Sequence, residues 1–266
     1  MGPLGAARNG DHLPPPGDRG APLSAVLANG FGRGLEAFYR DVTSPVALSA
    51  LKLTILVAVV TTVINALMGT LTAYALVRYD FPGRALLNGI VDLPFAIPTL
   101  VTGVMLVVLY GPQRMLGQWL TTHGIEVIFA PPGIVLAMLF VTYPFVVRTV
   151  QPVLYGAEIR QEEAAFSLGA SKWTAFRRVL LPTLAPALLS GCLLTFARAL
   201  GEFGSVVIVA GNIPNVTLTA PVHIYGQIES QNQQGASAMS TVLLALSFVL
   251  MLVIDTIQAR RAVDRG

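Results

Sequence analysis

The chain has 266 residues, of which 54% are hydrophobic and 12% charged, and its mean hydropathy is +0.67. Soluble domains carry roughly 25% charged residues, so this composition excludes one or two ordinary water-soluble domains and implies an integral membrane protein. The net charge of +3 is small, so its distribution matters more than its sum, and the single Cys192 permits no internal disulfide.

Residues 1–22 hold five Pro and five Gly, cannot pack a core and are predicted to be disordered. They contain no apolar run of signal-peptide type. Residues 23–40 are mildly amphipathic, with Arg33, Glu36 and Arg40 interrupting the apolar face, which predicts a helix lying on the bilayer surface. Residues 53–77 carry no charge and are long enough for one span at about 1.5 Å per residue across roughly 30 Å. Arg78, Asp80, Pro82, Gly83 and Arg84 make a polar turn. A second span follows over 85–110, interrupted by Asp92, Pro94 and Pro98. Residues 111–130 form a loop whose Trp119 suits the interface. The third span is predicted over 131–147, with Arg148 marking its end. A fourth starts near Leu181, a polar loop covers 211–235, and the last span is 236–254. The resulting domain scheme is an N-terminal disordered or interfacial segment 1–45, a transmembrane domain 46–258 and a tail 259–266.

Between the third and fourth spans lies a polar stretch, Glu162 to Pro182, with unusual internal spacing. Glu163-Ala164-Ala165 is followed after three residues by Gly169, and after nine more by Val179, Leu181 and Pro182. Ala164 and Ala165 leave a small-residue face in a strong helix former, open to close approach. Gly169 suits a left-handed helix end, and Ser171 can cap a second short helix over 172–180. Such a helix–Gly–helix at a membrane surface is a docking plug for a soluble partner; the plainer alternative is an amphipathic connector resting on the headgroups. If this stretch is cytoplasmic, alternation puts ten Arg and Lys residues inside and only Arg114 in the outer loops between spans, as the positive-inside rule requires.

No nucleotide-binding G-x4-G-K-[ST] occurs, nor H-E-x-x-H, nor paired Cys; His12, His123 and His223 are scattered. A pore with a docking surface but no nucleotide site implies a separate ATPase. Ionisable residues inside the membrane are costly unless they have a partner or a function. Asp92 precedes two prolines that free backbone carbonyls, as in broken helices that line cavities; the alternative is that it caps or pairs near the cytoplasmic end. Arg198 and Glu202, four residues apart, fall on one helical face and can pair, or can meet a substrate.

The spacing E-A-A-x3-G-x9-[IV]-x-L-P resembles the cytoplasmic coupling loop of permease subunits in type I ATP-binding-cassette importers. From about residue 46 to 258 the chain is similar to the T-type permeases of sulfate/thiosulfate importers, in RYDFPGR, DLPFAIPT, PFVVRTVQPVL, LGASKWTAFRRVLLP and ALGEFGSVVIVAGN. Molybdate permeases share the L-G-E-F-G and A-G-N elements. The V-R-T-V-Q-P-V-L run, GQWL and the long final loop lean toward sulfate.

The resemblance implies an all-α membrane fold with five spans visible here against six in the family. It implies ATPase coupling through Glu162, Glu163, Ala164, Ala165, Gly169, Leu181 and Pro182, with Asp92, Arg198 and Glu202 as candidates for the translocation pathway. It further implies a second permease subunit, two ATPase subunits that hold the ATP and magnesium, a periplasmic sulfate-binding protein and residence in a bacterial inner membrane. No cofactor is expected on this chain itself. An ion-coupled secondary transporter and a membrane scaffold remain the competing classes; the absence of an internal repeat weighs against the first, the broken second span against the second. Alternation through five spans would leave residues 1–50, with Arg8, Arg19, Arg33 and Arg40, outside. The expectation is therefore that the start is truncated or divergent and that a further span precedes residue 31.

Overall fold

A computed structural model of the chain describes residues 21–156 and 164–263. All regular structure among the described residues is helical, as the apolar runs require, since a helix satisfies its own backbone where water is absent. Among the described residues four helices are long and apolar enough to cross a membrane, and a bent pair makes a fifth if it counts as one span.

Ala21 and Pro22, the last two residues of the segment expected to be disordered, belong to the first described helix. Helix α1, Ala21–Gly30, lies antiparallel beside the last helix: a Cβ on Gly30 would sit 3.0 Å from Thr241 Oγ1, and one on Gly32 would face Gln234. The surface helix expected over 23–40 is thus two elements. Its amphipathic part is confined to α2, Leu35–Thr43, where Leu35 and Tyr39 stay exposed. Residues 1–20, and with them the expectation about a preceding span, lie outside the described residues.

Helix α3 runs over Pro45–Arg78, eight residues longer at its start than the charge-free run, because Ser44 caps it and Pro45 suits its first turn. Lys52 is thereby carried inside the helix and remains exposed near its outer end. The expected second span divides into α4, Arg84–Ala96, and α5, Thr99–Tyr110, whose axes bend by 114°. Pro94 lacks the N–H that would bond the carbonyl four residues back, and Pro98 disfavours helical geometry at Ile97, so the helix ends there. The outer connection contains α6, Met115–Thr122.

Helix α7 covers Pro131–Gly156, which corrects the end expected at Arg148. The charge is tolerated inside the helix because partners on α4 meet it. After the coupling stretch, α8, Lys172–Ala175, passes through a π-turn, Phe176–Leu180, into α9, Leu181–Leu200. The short helix expected over 172–180 is therefore not separate but the inner end of one span, Trp173–Leu200. Pro182 explains the wide turn. It cannot donate to the residue-178 carbonyl and its ring crowds it, while the Leu181 N–H reaches back to Phe176. Beyond Gly201 come α10, Gly204–Val209, α11, Ala220–Glu229, and α12, Gln233–Val263.

Helices α3, α7 and α9 pack on one another and form the centre. One apolar cluster fills its outer half, with Val57, Ile134, Met138, Leu200 and Val206. A second fills the inner half, with Leu76, Val91, Val147, Val150 and Leu184. Between them Asn65 donates to Thr142 Oγ1 at 2.8 Å. The Thr54 hydroxyl accepts the Ala220 N–H at 2.8 Å and so holds the outer α11 to α3.

Candidate functional site: a coupling turn, a broken span and two ion pairs

The coupling stretch is described from Ala164 onward; Glu162 and Glu163 lie outside the described residues. Residues 164–167 are helical and end at Gly169, whose φ is +82°. The Gly169 N–H bonds to Phe166 O at 2.9 Å and the Ala170 N–H to Ala165 O at 3.0 Å, the paired closure of a glycine-terminated helix. Among the described residues no atom would crowd a Cβ on Gly169, so what a larger residue would strain there is the backbone conformation. Ser171 Oγ accepts the Thr174 N–H at 3.2 Å, a cap at the expected residue. Around this turn Phe166, Leu168 and Trp173 are exposed, Leu168 to 89%, and Trp173 stacks on Phe176. Apolar side chains standing out of a polar loop form a knob that a complementary groove would bury.

Asp92 is met by Arg148. The guanidinium donates from Nε to Oδ1 at 2.7 Å and from its second nitrogen to Oδ2 at 2.6 Å, the two-pronged geometry that makes Arg–carboxylate pairs strong. Arg148 also donates to the Asn88 side chain and the Asn88 carbonyl, each at 2.9 Å, and to Gln151. Asn88 and Asp92 are one turn apart on α4; Arg148 and Gln151 are one turn apart on α7. The Asp92 side chain is 51% exposed and that of Arg148 28%. Asp92 is therefore half of a clamp between two helices. Arg148, Asn88 and Gln151 were not singled out as site residues from the sequence. The signal was present, in two polar pairs at i,i+4 and i,i+3 inside apolar runs, but Arg148 reads as a span end until its partners sixty residues away are known.

Arg198 and Glu202 do pair, at 2.7 Å. Glu202 is 1% exposed, and its other oxygen accepts the Ser205 N–H at 2.9 Å and the Ser205 hydroxyl at 2.8 Å. The carboxylate closes the gap between α9 and α10, with the Arg198 ion pair on one side and charge-assisted hydrogen bonds from Ser205 on the other.

No group of three or more His, Cys, Asp or Glu that could hold a metal occurs among the described residues. His123 packs on Trp119. Burial pushes the His223 imidazole below its usual range, so it is neutral at pH 7.

A cavity of about 880 Å³ opens in the crook between α4 and α5 and is walled by Val91, Pro94, Met105, Leu139 and Tyr143. A smaller one, about 300 Å³, lies between the inner ends of α3, α4 and α7, where Leu76, Ala85, Asn88, Gln151 and Tyr155 meet.

Comparison with known proteins agrees with this geometry. Residues 65–263 match the family described as "Binding-protein-dependent transport system inner membrane component". The chain is 48% identical over 90% of its length to the probable sulfate transport system permease protein cysT of Nephroselmis olivacea, covering 84% of that protein. It is 42% identical to the sulfate transport system permease protein CysT of Escherichia coli strain K12, over 90% of this chain and 86% of that one. Among solved structures, a bacterial ABC transporter involved in the import of alginate superposes with a TM-score of 0.75 at 16% identity, over 90% of this chain and 89% of that chain. That likeness fixes the fold. The all-helical bundle, the glycine-closed turn between α7 and α9 and the family match together make this chain a member of the inner-membrane components of binding-protein-dependent transport systems.

Proposed function

We propose that the chain is one half of the pore of an ATP-driven importer for sulfate. It would stand beside a second, related permease, two ATPase subunits and a periplasmic sulfate-binding protein in a bacterial inner membrane. The observation that carries this reading is the 48% identity, across 90% of the chain, to a sulfate transport permease.

In this reading the chain performs no catalysis; ATP hydrolysis takes place on the ATPase subunits. The coupling turn is seated on one of them, with Ala164 and Ala165 on the approaching helix, Gly169 setting its end, and the Glu162 and Glu163 carboxylates contributing to the same contact. Closure of the ATPase dimer would push on this turn. The push passes forward through the continuous helix containing Leu181 and Pro182, and backward into the end of α7. The exposed Phe166, Leu168 and Trp173 give the turn an apolar grip. Arg198 is the cation that would meet an anion on the pathway: one of its nitrogens is ion-paired with Glu202, and its other donors are left for an incoming oxyanion. Asp92 shapes the pathway wall indirectly, through its clamp.

The test is uptake of radiolabelled sulfate by bacteria lacking their own sulfate importers, expressing this chain with its companion permease, ATPase and binding protein. Saturable, ATP-dependent sulfate uptake, competed by thiosulfate, is the expected result. Uptake of molybdate but not sulfate by a complex present at normal level would reassign the substrate.

A further inference from the structure

The two halves of the broken span are held by different means. The partners of α5 are the outer elements: a Cβ on Gly103 would lie 2.7 Å from Ser205 O and 2.9 Å from Ile208 Cβ, and a Cβ on Gly204 would collide with Thr99 Oγ1. Backbone is pressed on backbone there, with no room to shift. The partner of α4 is chiefly α7. Besides Val91 and Leu87 in the inner cluster, Phe95 edge-on to Phe145 and a long hydrogen bond from Arg84 to Tyr155, the Arg148 clamp fastens it. That clamp is charged, partly exposed and made of side chains alone on the α7 side, so water or a moving neighbour can open it without breaking a backbone bond. Ile97 N–H closes α4 on Leu93 O and the Pro98 carbonyl opens α5 on Val101 and Thr102, so among the described residues no backbone hydrogen bond runs across the 114° bend at residues 97–98, as a hinge requires. The inner end of α4, joined to α3 by the turn at residues 79–83, also touches the transmission route. Arg84 donates to the Tyr155 hydroxyl at 3.5 Å, one residue before α7 ends and the coupling stretch begins.

We propose that the Arg148–Asp92 clamp is a latch. It holds the inner half of the broken span on α7 in one state of the transport cycle and releases it in the other, α4 swinging about residues 97–98 while α5 stays locked to α10. Arg148, with Asn88 and Gln151, is on this account a positioning residue for transport. The inference rests on the importer reading but not on sulfate being the cargo.

The experiment tethers the two helices away from the latch itself. Ala85→Cys and Tyr155→Cys, which face the same 300 Å³ cavity, are introduced with Cys192→Ser into the complete importer in proteoliposomes. They are then bridged with a short bis-methanethiosulfonate. Uptake and ATP hydrolysis stimulated by the binding protein should both fall about tenfold or more on bridging and return on reduction. Undiminished turnover in the bridged importer would overturn the latch.

A second measurement guards against a merely structural role. Arg148→Lys cannot make the two-pronged pair and should lower maximal uptake while leaving the amount of assembled complex and the KM unchanged. The exchange Arg148→Asp with Asp92→Arg should restore part of the loss; equal defects in the single and exchanged variants would also overturn it. If the unmodified importer moves no sulfate, the substrate reading fails on its own, and the bridging is read from ATP hydrolysis with whichever oxyanion stimulates it.

Discussion

Helices α4 and α5 come from one apolar run, yet the structure fastens them by opposite means. At α5 two glycines let it sink onto α10 until backbones touch, and contact of this kind has one arrangement. At α4 a guanidinium reaches across to a carboxylate, an amide and a carbonyl, and a contact of that kind has an open and a closed form. The difference teaches where a pore subunit can be rigid and where it can move: steric interlock fixes the outer half of the broken span, and a polar clamp holds its inner half reversibly.

Breaking the interlock should have the largest effect. Gly204→Val and Gly103→Val each force a side chain onto α5 or α10 backbone, an overpacking that costs at least about 1–3 kcal/mol in a core and more where the obstacle is backbone. Full-length protein in the membrane should fall steeply for both, measured by quantitative immunoblot. Normal levels would mean that α5 is not held as described.

The Arg198–Glu202 pair anchors the near end of α10 and comes next. Arg198→Ala leaves a buried carboxylate without its cation, a loss of about 3–5 kcal/mol for a fully buried pair and less here, because the Arg198 side chain is 36% exposed. The double change with Glu202→Ala should be milder than Arg198→Ala alone, read as thermal stability of the purified complex. Simple additivity would show that the two side chains act independently.

Arg148→Lys should leave stability nearly unchanged and lower uptake about tenfold, which is the signature that separates the clamp from the interlock. Smaller again is Gly169→Val. The left-handed backbone at φ +82° costs a β-branched residue roughly 1–3 kcal/mol, spent locally at an exposed turn. Uptake should drop several-fold, while membrane insertion, followed by a fluorescent fusion, should not.

The coupling turn was legible in the sequence because its determinants are local. Gly169 and Ser171 act on residues within five positions, and both do in the structure what their chemistry requires. The apolar runs were equally legible as spans. Their ends were not, for reasons that are all non-local. Arg148 looks like a boundary until Asn88 and Asp92 are brought to it, and α1 looks like a surface helix until Ser237 and Thr241 are beside it. Pro182 looks like a start until a π-turn lets the helix run through it. Two prolines announced that the second span is broken, but not that the pieces bend by 114° or that they are held so differently.

The central claim is that one half of the broken span moves and the other does not. It is tested most directly by spin-label distances in the assembled importer, with Cys192→Ser as background and a common reference label at Phe248 on α12. One partner label is placed at Leu86 near the inner end of α4 and another at Val108 on α5, all three positions being exposed. Between the nucleotide-free and the ATP-trapped importer, the Leu86–Phe248 distance should shift by several ångströms while Val108–Phe248 stays put. A fixed Leu86 distance, or the two distances shifting together, would contradict the account.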